Sequence, residues 1–300
     1  MKAYIIGFTK AHNYPAEAVE VLLDSFNKVS DKEDFLNLVS TFYAENPESK
    51  EYFEPSLDQM AKKYSCHRYT LYLLYLICIS KELKEKYAQK GIGEDVFFDT
   101  MKDLRCKLFE CFETDKIWGV IPFADWFYSM FHMNIFALGR MEYNYGPFRG
   151  ESATVAGIEV KEGDMVLHIH IPSSGEPFDR TARIASYEKA YNFYLDAFGG
   201  KTPVFCCDSW LLNPENKEVL GEKSNIASFV DDFKIIDFKR FPDNRNMWRI
   251  FGADADLPPE QLPRKTSMQR KIADWIAQGN RLGSGKGLFV FDPQNKITVK

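Results

Sequence analysis

Apolar positions along this chain follow two periods. To about residue 137 they recur every three to four residues, and from about residue 138 short alternating runs take over. Pro15 can open a helix with Ala18, Val21, Leu22, Phe26 and Val29 on one side. Ser30-Asp31-Lys32-Glu33 has capping-box spacing and predicts a second helix, carrying Phe35, Leu38, Val39, Phe42 and Tyr43 until Asn46-Pro47 stops it. Tyr69 to Gln89 is apolar almost all round at first and charged from Lys81 to Lys86. The expected helix is buried in front and exposed behind, with Gly91 ending it. Glu94 to Phe112 holds the most regular stripe: Phe97, Met101, Leu104, Leu108 and Cys111. Ile117 to Phe136, crowded with tryptophan, proline and phenylalanine, reads as packed, irregular helix.

The later half begins with the alternating run Arg140 to Gly146. Ala153–Val160 and Met165–Ile171 flank Lys161-Glu162-Gly163-Asp164, a hairpin signature. Met165–Pro172 predicts a strand with Leu167, Ile169 and Ile171 on one face and Val166, His168 and His170 on the other. The polar turn Ser173-Ser174-Gly175-Glu176-Pro177 leads into a helix marked by Ile184, Tyr187, Tyr191, Leu195 and Phe198. Gly199-Gly200 closes it, and Pro203–Leu212 is the next strand. Asn225–Phe233 reads as helix, Lys234–Phe241 and Met247–Phe251 as strands, and Leu257–Arg264 as loop. Thr266–Gln278, with Met268, Ile272, Trp275 and Ile276 on its apolar side, is a helix, and Leu288–Phe291 a final strand. The expected fold class is α+β: an all-helical N-terminal domain, 1–137, then a mixed-sheet α/β domain, 138–300.

Composition narrows the function classes. With 15% aromatic and 27% charged residues the chain can pack cores and is not a disordered tract. A formal charge of −5 without a long basic run argues against a nucleic-acid partner. The longest apolar run, Leu71 to Ile79, is too short to span a bilayer, and the first residues do not form a signal peptide. Six cysteines are too sparse for a disulfide scaffold and lack metal-ligand spacing. A cytoplasmic, reduced protein without membrane or metal is the expectation.

Candidate chemistry gathers around Met165–Leu212. A polar turn that follows a strand and opens a helix presents backbone N–H groups to an anion. Arg180 and Arg183 fall in or beside that first turn, where the helix dipole disfavours cations unless an anion is bound. Ile171, Ser173, Ser174, Gly175, Arg180 and Arg183 are therefore the expected contacts of a phosphorylated cofactor. Arg270, in the first turn of the late helix, is a second phosphate contact if that end faces the cleft. His168 and His170 share a strand face, but a metal site needs a third ligand. His170 suits a general base, against the plainer role of a packed strand residue. Glu142 is an alternative base or amine contact, although pairing with Arg140 on its own face is the plainer account. Asp208 interrupts an apolar strand and is either an anchor or a catalytic contact to substrate. Cys206 and Cys207 invite thiol chemistry, but buried cysteines usually act as small apolar residues.

Several motifs also carry a resemblance. They are Tyr69-Thr70-Leu71, Gly91-Ile92, Phe98-Asp99-Thr100-Met101-Lys102-Asp103-Leu104, Arg140-Met141-Glu142-Tyr143, His170-Ile171-Pro172-Ser173, Ser186-Tyr187, Cys207-Asp208-Ser209-Trp210-Leu211-Leu212, Ser224-Asn225-Ile226, Arg249-Ile250-Phe251-Gly252 and Thr266-Ser267-Met268-Gln269-Arg270. In order, they resemble a family of bacterial acyltransferase-domain proteins with a helical N-terminal domain and a GNAT-like C-terminal domain. The resemblance implies acyl transfer from acyl-CoA, acetyl-CoA foremost, to an amine acceptor, a small molecule or short peptide. It implies that Met165–Pro172 and Pro203–Leu212 are splayed strands gripping the pantetheine arm. Backbone N–H groups near Ile169–Pro172 would polarise the thioester, with His170 or Glu142 as base. Trp126, Phe127 and Phe131 would shape the acceptor pocket. The family's usual glycine-rich pyrophosphate string is absent from Ser173–Ser186; the nearest match, Asn280 to Gly285, precedes a strand. The alternative is a non-catalytic ligand-binding or regulatory protein on the same fold.

Overall fold

The structure is a computed structural model that describes residues 1–43, 53–243 and 246–300. The chain divides into two compact units, Met1–Phe136 and Ala137–Lys300.

Among the described residues the first unit is helical: α1 (Lys2–Ala11), α2 (Ala16–Val29), α3 (Glu33–Thr41), α4 (Glu54–Lys63), α5 (Arg68–Gln89), α6 (Glu94–Asp115) and α7 (Ala124–Phe131). Its centre is α5, buried without interruption from Thr70 to Ser80 and, apart from Leu83 and Tyr87, largely charged and exposed beyond that. Burial on every side requires apolar residues on every side, which is why this segment shows no single stripe. The expected capping box at Ser30–Glu33 does not form. Ser30 keeps helical dihedrals as the residue that closes α2, which leaves Lys32 to precede α3 without a side-chain cap. The expected stop at Asn46-Pro47 lies outside the described residues. Phe127 and Phe131 are fully buried in this unit, so they are core residues with no surface left for an acceptor. Trp126 donates its indole N–H to Asp103 Oδ2 (2.8 Å).

The second unit comprises β1 (Phe136–Leu138, shared with the boundary), β2 (Met141–Pro147), β3 (Ala153–Val155), β4 (Ile158–Val160), β5 (Met165–His170), α8 (Arg180–Tyr194), β6 (Val204–Ser209), α9 (Asn216–Leu220), α10 (Asn225–Asp231), β7 (Lys234–Arg240), α11 (Trp248–Phe251), α12 (Ser267–Ala277), β8 (Gly283–Asp292) and β9 (Ile297–Val299). The main sheet runs β1-β2-β5-β6-β8-β7, with β9 added to β8. β5 and β6 pair in parallel, and β2–β5, β6–β8 and β7–β8 are antiparallel. The fold is thus α+β, with a mixed sheet.

Two local expectations give way. The hairpin joins β3 to β4, across Ala156-Gly157 with φ of +48° and +79°, not across Lys161–Asp164. Two successive left-handed residues match the twist of a tight hairpin, and alanine there is a weak signal for it. β5 pairs with β2 instead, and Lys161–Asp164 is a connection held to Phe148 through its main chain. Met247–Phe251 is not a strand. Its last residues form α11, whose Ile250 and Phe251 join a cluster with Leu220, Met247, Ile272 and Leu282. Five mostly apolar residues are too few to distinguish the two periods.

α8 lies against one face of the sheet. Tyr187 packs on Phe205 and Phe289, whose rings stack at 4.8 Å. Ser186 Oγ donates to Leu138 O (2.6 Å) and accepts from Met141 N (3.1 Å). This brings Gly139, with φ of +82°, so near the helix that a Cβ would lie 3.2 Å from Ser186 Cα. Alternation in β5 thereby becomes positional. The Leu167/Ile169 face meets α8, and the His168/His170 face points away from it.

Candidate functional site

The ladder between β5 and β6 consists of two register pairs, Leu167 with Phe205 and His168 with Cys206. Beyond them β5 stays in register with β2 as far as His170, and β6 stays in register with β8 as far as Ser209. Each strand keeps its outer neighbour while the pairing between the two stops after two pairs, which leaves a gap in the ladder. Such a gap between parallel strands exposes main-chain edges to an extended guest that can replace the missing strand.

On the face away from α8 this gap has a closed end and a polar end. At the closed end Val166, Val204, Cys206 and Leu288 are buried with Phe148, Val155 and Val160. Towards the carboxyl ends of β5 and β6 the same face carries Glu142, Asn144, His170, Asp208 and Ser284. Glu142 is 2% exposed and stands opposite His170 in register. His170 Nε2 donates to Asn144 Oδ1 (2.7 Å). Asp208 lies on β6, across the gap. Its Oδ1 accepts from Ser284 Oγ (2.8 Å), and Lys286 Nζ is 3.9 Å from Oδ2. The Asp208 side chain is 48% exposed, so this carboxylate is oriented yet open to solvent.

His168 donates from Nε2 to Pro147 O (3.1 Å). Burial holds its ring below the ordinary imidazole value. Hydrogen bonds from the ring to the backbone of Pro147 and Gly146 oppose this, and nearby Lys286 and Arg149 add to it. Among the described residues no group of three or more His, Cys, Asp or Glu is placed to hold a metal. Burial pushes the Cys206 thiol up to about 12 and Cys207 well above its usual value, so neither is a ready thiolate at neutral pH.

The segment after β5 is a preformed loop. Arg140 donates to Pro172 O (3.1 Å) and Glu176 O (3.3 Å), and Ser174 Oγ accepts from Glu176 N (3.3 Å). Gly175 turns it with φ of +73°, and nothing lies within 4 Å of where a Cβ would be. Ile171 is half-buried, Ser173 and Arg180 are exposed, and all lie on or beside this loop.

Two expected anion contacts, Arg183 and Arg270, fall elsewhere. Arg183 is fully buried; it pairs with Asp232 (2.6 Å) and donates to Phe178 O and Ser228 Oγ. A cation at a helix start is stabilised here by an internal carboxylate, so this residue is withdrawn from the phosphate contacts. Arg270 donates to Arg264 O and Lys265 O, and ties down the approach to α12. Gly283 and Gly285 form the start of β8, where glycine admits Lys239 O and Leu212 O, respectively. The nearest match to the family's glycine-rich string thus runs into a strand. At α8 itself Asp179 caps the helix, its side chain accepting from Ala182 N (2.9 Å). One N–H of the expected anion seat is therefore already taken by a carboxylate.

Asn144 and Ser284 escaped notice in the sequence. Asn144 follows Glu142 by two residues, and that spacing alone places it on the same face. Ser284 sat inside Asn280–Gly285, the string compared with the family's glycine-rich motif.

Residues 135–289 match the GNAT-like C-terminal domain family, and residues 5–133 match the N-acyltransferase N-terminal domain family. No curated protein matches the sequence significantly. A crystal structure of an acyltransferase in complex with decanoyl-CoA and teicoplanin superposes with a TM-score of 0.68 at 16% identity, covering 94% of this chain and 86% of that one. A mutant acyltransferase in complex with octanoyl-CoA superposes with a TM-score of 0.67 at 17% identity, covering 93% and 85%.

Proposed function

The chain belongs to the GNAT-like C-terminal domain family and carries the N-acyltransferase N-terminal domain, and from that premise we propose that it moves an acyl group from acyl-CoA to an amine. One observation carries the reading: β5 and β6 part after two pairs, beside a face bearing Glu142, His170 and Asp208. The extended arm of the acyl donor enters the gap, and main-chain N–H groups around Ile169–Pro172 face the thioester oxygen, where negative charge develops. Ser173, Ser174, Gly175 and Arg180 meet the phosphates; Arg183 and Arg270 do not.

Asp208 receives the acceptor's ammonium across the gap. His170, flanked by Glu142, takes one proton from that ammonium and passes it to solvent, and the freed nitrogen lone pair attacks the carbonyl carbon. A C–N bond forms and the C–S bond breaks. The thiolate leaves and takes the second proton given up by the nitrogen, so the products are an amide and free CoA. The acceptor is a small-molecule amine or a short peptide. Acetyl-CoA is the first donor to try, and the octanoyl- and decanoyl-CoA held by the structural neighbours extend the panel to longer chains.

Release of free thiol from a series of acyl-CoAs in the presence of an amine panel tests the reading. Amine-dependent release supports it; stabilisation by an acyl-CoA without release from any donor contradicts it. A second reading, a non-catalytic module that kept the fold, draws on Asp179, whose carboxylate disfavours a phosphate at the mouth of α8. That outcome, binding without release, is the one this second reading expects.

A further inference from the structure

A carboxylate and an ammonium that are free to approach close to about 2.7–2.9 Å. Asp208 and Lys286 do not. They stand opposite each other on β6 and β8, on the sheet face turned away from α8, with Lys286 Nζ 3.9 Å from Asp208 Oδ2. Each is held by a second partner. Asp208 Oδ1 accepts from Ser284 Oγ (2.8 Å), a buried hydroxyl on β8, and Lys286 Nζ donates to Arg149 O (2.8 Å) on the connection before β3. The ammonium stays over the sheet face, where its charge is felt at His168 and Cys206. A lysine has three N–H groups to donate. Arg149 O takes one, and among the described residues the other two meet no acceptor within hydrogen-bond distance; Asp208 Oδ2 likewise meets no donor. With side chains 48% (Asp208) and 21% (Lys286) exposed, both ends are open to a ligand.

The ligand that answers both ends carries both charges, close together. In an α-amino acid the amine nitrogen and the carboxylate carbon are two bonds apart, about 2.5 Å. Laid head to tail along the Asp208–Lys286 pair, it donates N–H to Oδ2 and offers a carboxylate oxygen to Nζ. A plain amine at Asp208 instead sets its own positive charge beside that of Lys286, with nothing to offset it. We propose that the acceptor is an α-amino acid, its amine held by Asp208 and its carboxylate by Lys286, while Ser284 and Arg149 O keep the two ends apart. The product is then an N-acyl amino acid. This assignment rests on the acyl-transfer reading, but its binding half is measurable without turnover.

Release of free thiol from acetyl-CoA and decanoyl-CoA is compared for the common amino acids, their α-amides and the corresponding decarboxylated amines. At least one amino acid reacts with kcat/KM about 10-fold or more above its amide and its amine. Lys286→Met lowers kcat/KM for that amino acid about 10- to 100-fold, chiefly through KM, and narrows the gap between acid and amide; Lys286→Arg restores the gap. Lys286→Gln, which keeps a donor for Arg149 O without the charge, carries the same test should methionine loosen the fold. Asp208→Asn, which keeps an oxygen for Ser284, weakens acid and amide alike. Amides or amines that react as well as every amino acid overturn the inference, and so does a loss in the Lys286 variants that is equal for acid and amide. If nothing in the panel releases thiol, the acyl-transfer reading falls and ligand-observed NMR of the same amino acids decides the site by itself. Binding lost in Lys286→Met or Lys286→Gln then upholds it; binding that is absent from the wild type, or that survives in those variants, overturns it.

Discussion

Arg183 and His170 show what one residue can and cannot reveal in a sequence. A cation in the first turn of a helix is unfavourable by itself, and from sequence the missing anion was assigned to a ligand. The anion is Asp232, 49 residues on, which also accepts from Tyr187 Oη (3.0 Å). No local pattern could have found it. Removing one partner leaves a buried charge uncompensated, so Arg183→Met should lower unfolding free energy by about 3–5 kcal/mol, and adding Asp232→Leu should recover part of that loss in urea titrations. His170, in contrast, could be placed on a face with His168 from spacing alone; that Glu142 stands opposite it is a product of the β2–β5 pairing. Given a substrate, His170→Ala should reduce kcat by about 10²- to 10⁴-fold with little change in thermal stability. His168 supplies a pH dependence. Its folded value lies below the ordinary 6.5, so above that value both states hold a neutral ring. As the pH falls below it the unfolded chain binds protons first, and stability is lost progressively down to the folded value. His12, also depressed mainly by burial, acts in the same sense. Denaturant midpoints should fall on going from about pH 7.5 to about pH 5.5, and His168→Gln should make that fall shallower.

Elements were legible where one period dominated over enough length. α5, α6 and α12 are long amphipathic or fully buried helices, and the capping box of Thr266 and Gln269 marks the start of α12 plainly. The hairpin of β3 and β4 was misassigned because its turn uses Ala156, and α11 because four residues carry no period. α8 illustrates how an element's end can serve stability and binding in opposite directions. Asp179 caps the helix, yet puts negative charge where the phosphates of acyl-CoA are proposed to lie. Asp179→Ala should therefore cost about 0.5–2 kcal/mol of stability and, unlike a purely destabilising change, tighten acyl-CoA binding in calorimetry. β8 adds a steric case. A Cβ at Gly285 would lie 2.1 Å from Leu212 O, so Gly285→Val should separate β8 from the turn after β6 and lower the melting temperature markedly.

At the scale of the whole molecule, each unit buries its own core, and the change in periodicity near residue 138 falls where the chain passes from one unit to the other. The order of the sheet was not legible, because β8 enters between β6 and β7 from the far end of the sequence. The short ladder of β5 with β6 lies between two longer antiparallel ladders, with β2 on one side and β8 on the other. Pairing between strands is invisible in either strand alone, so the opening entered the sequence reading only through family resemblance. If the opening is the seat of the acyl donor, ligand must protect main-chain amides on its two lips. Hydrogen exchange should be compared with and without saturating acetyl-CoA and decanoyl-CoA. Slower exchange confined to residues 169–175 and 207–209 is the predicted result. Unchanged exchange in both stretches, with either donor, would contradict it.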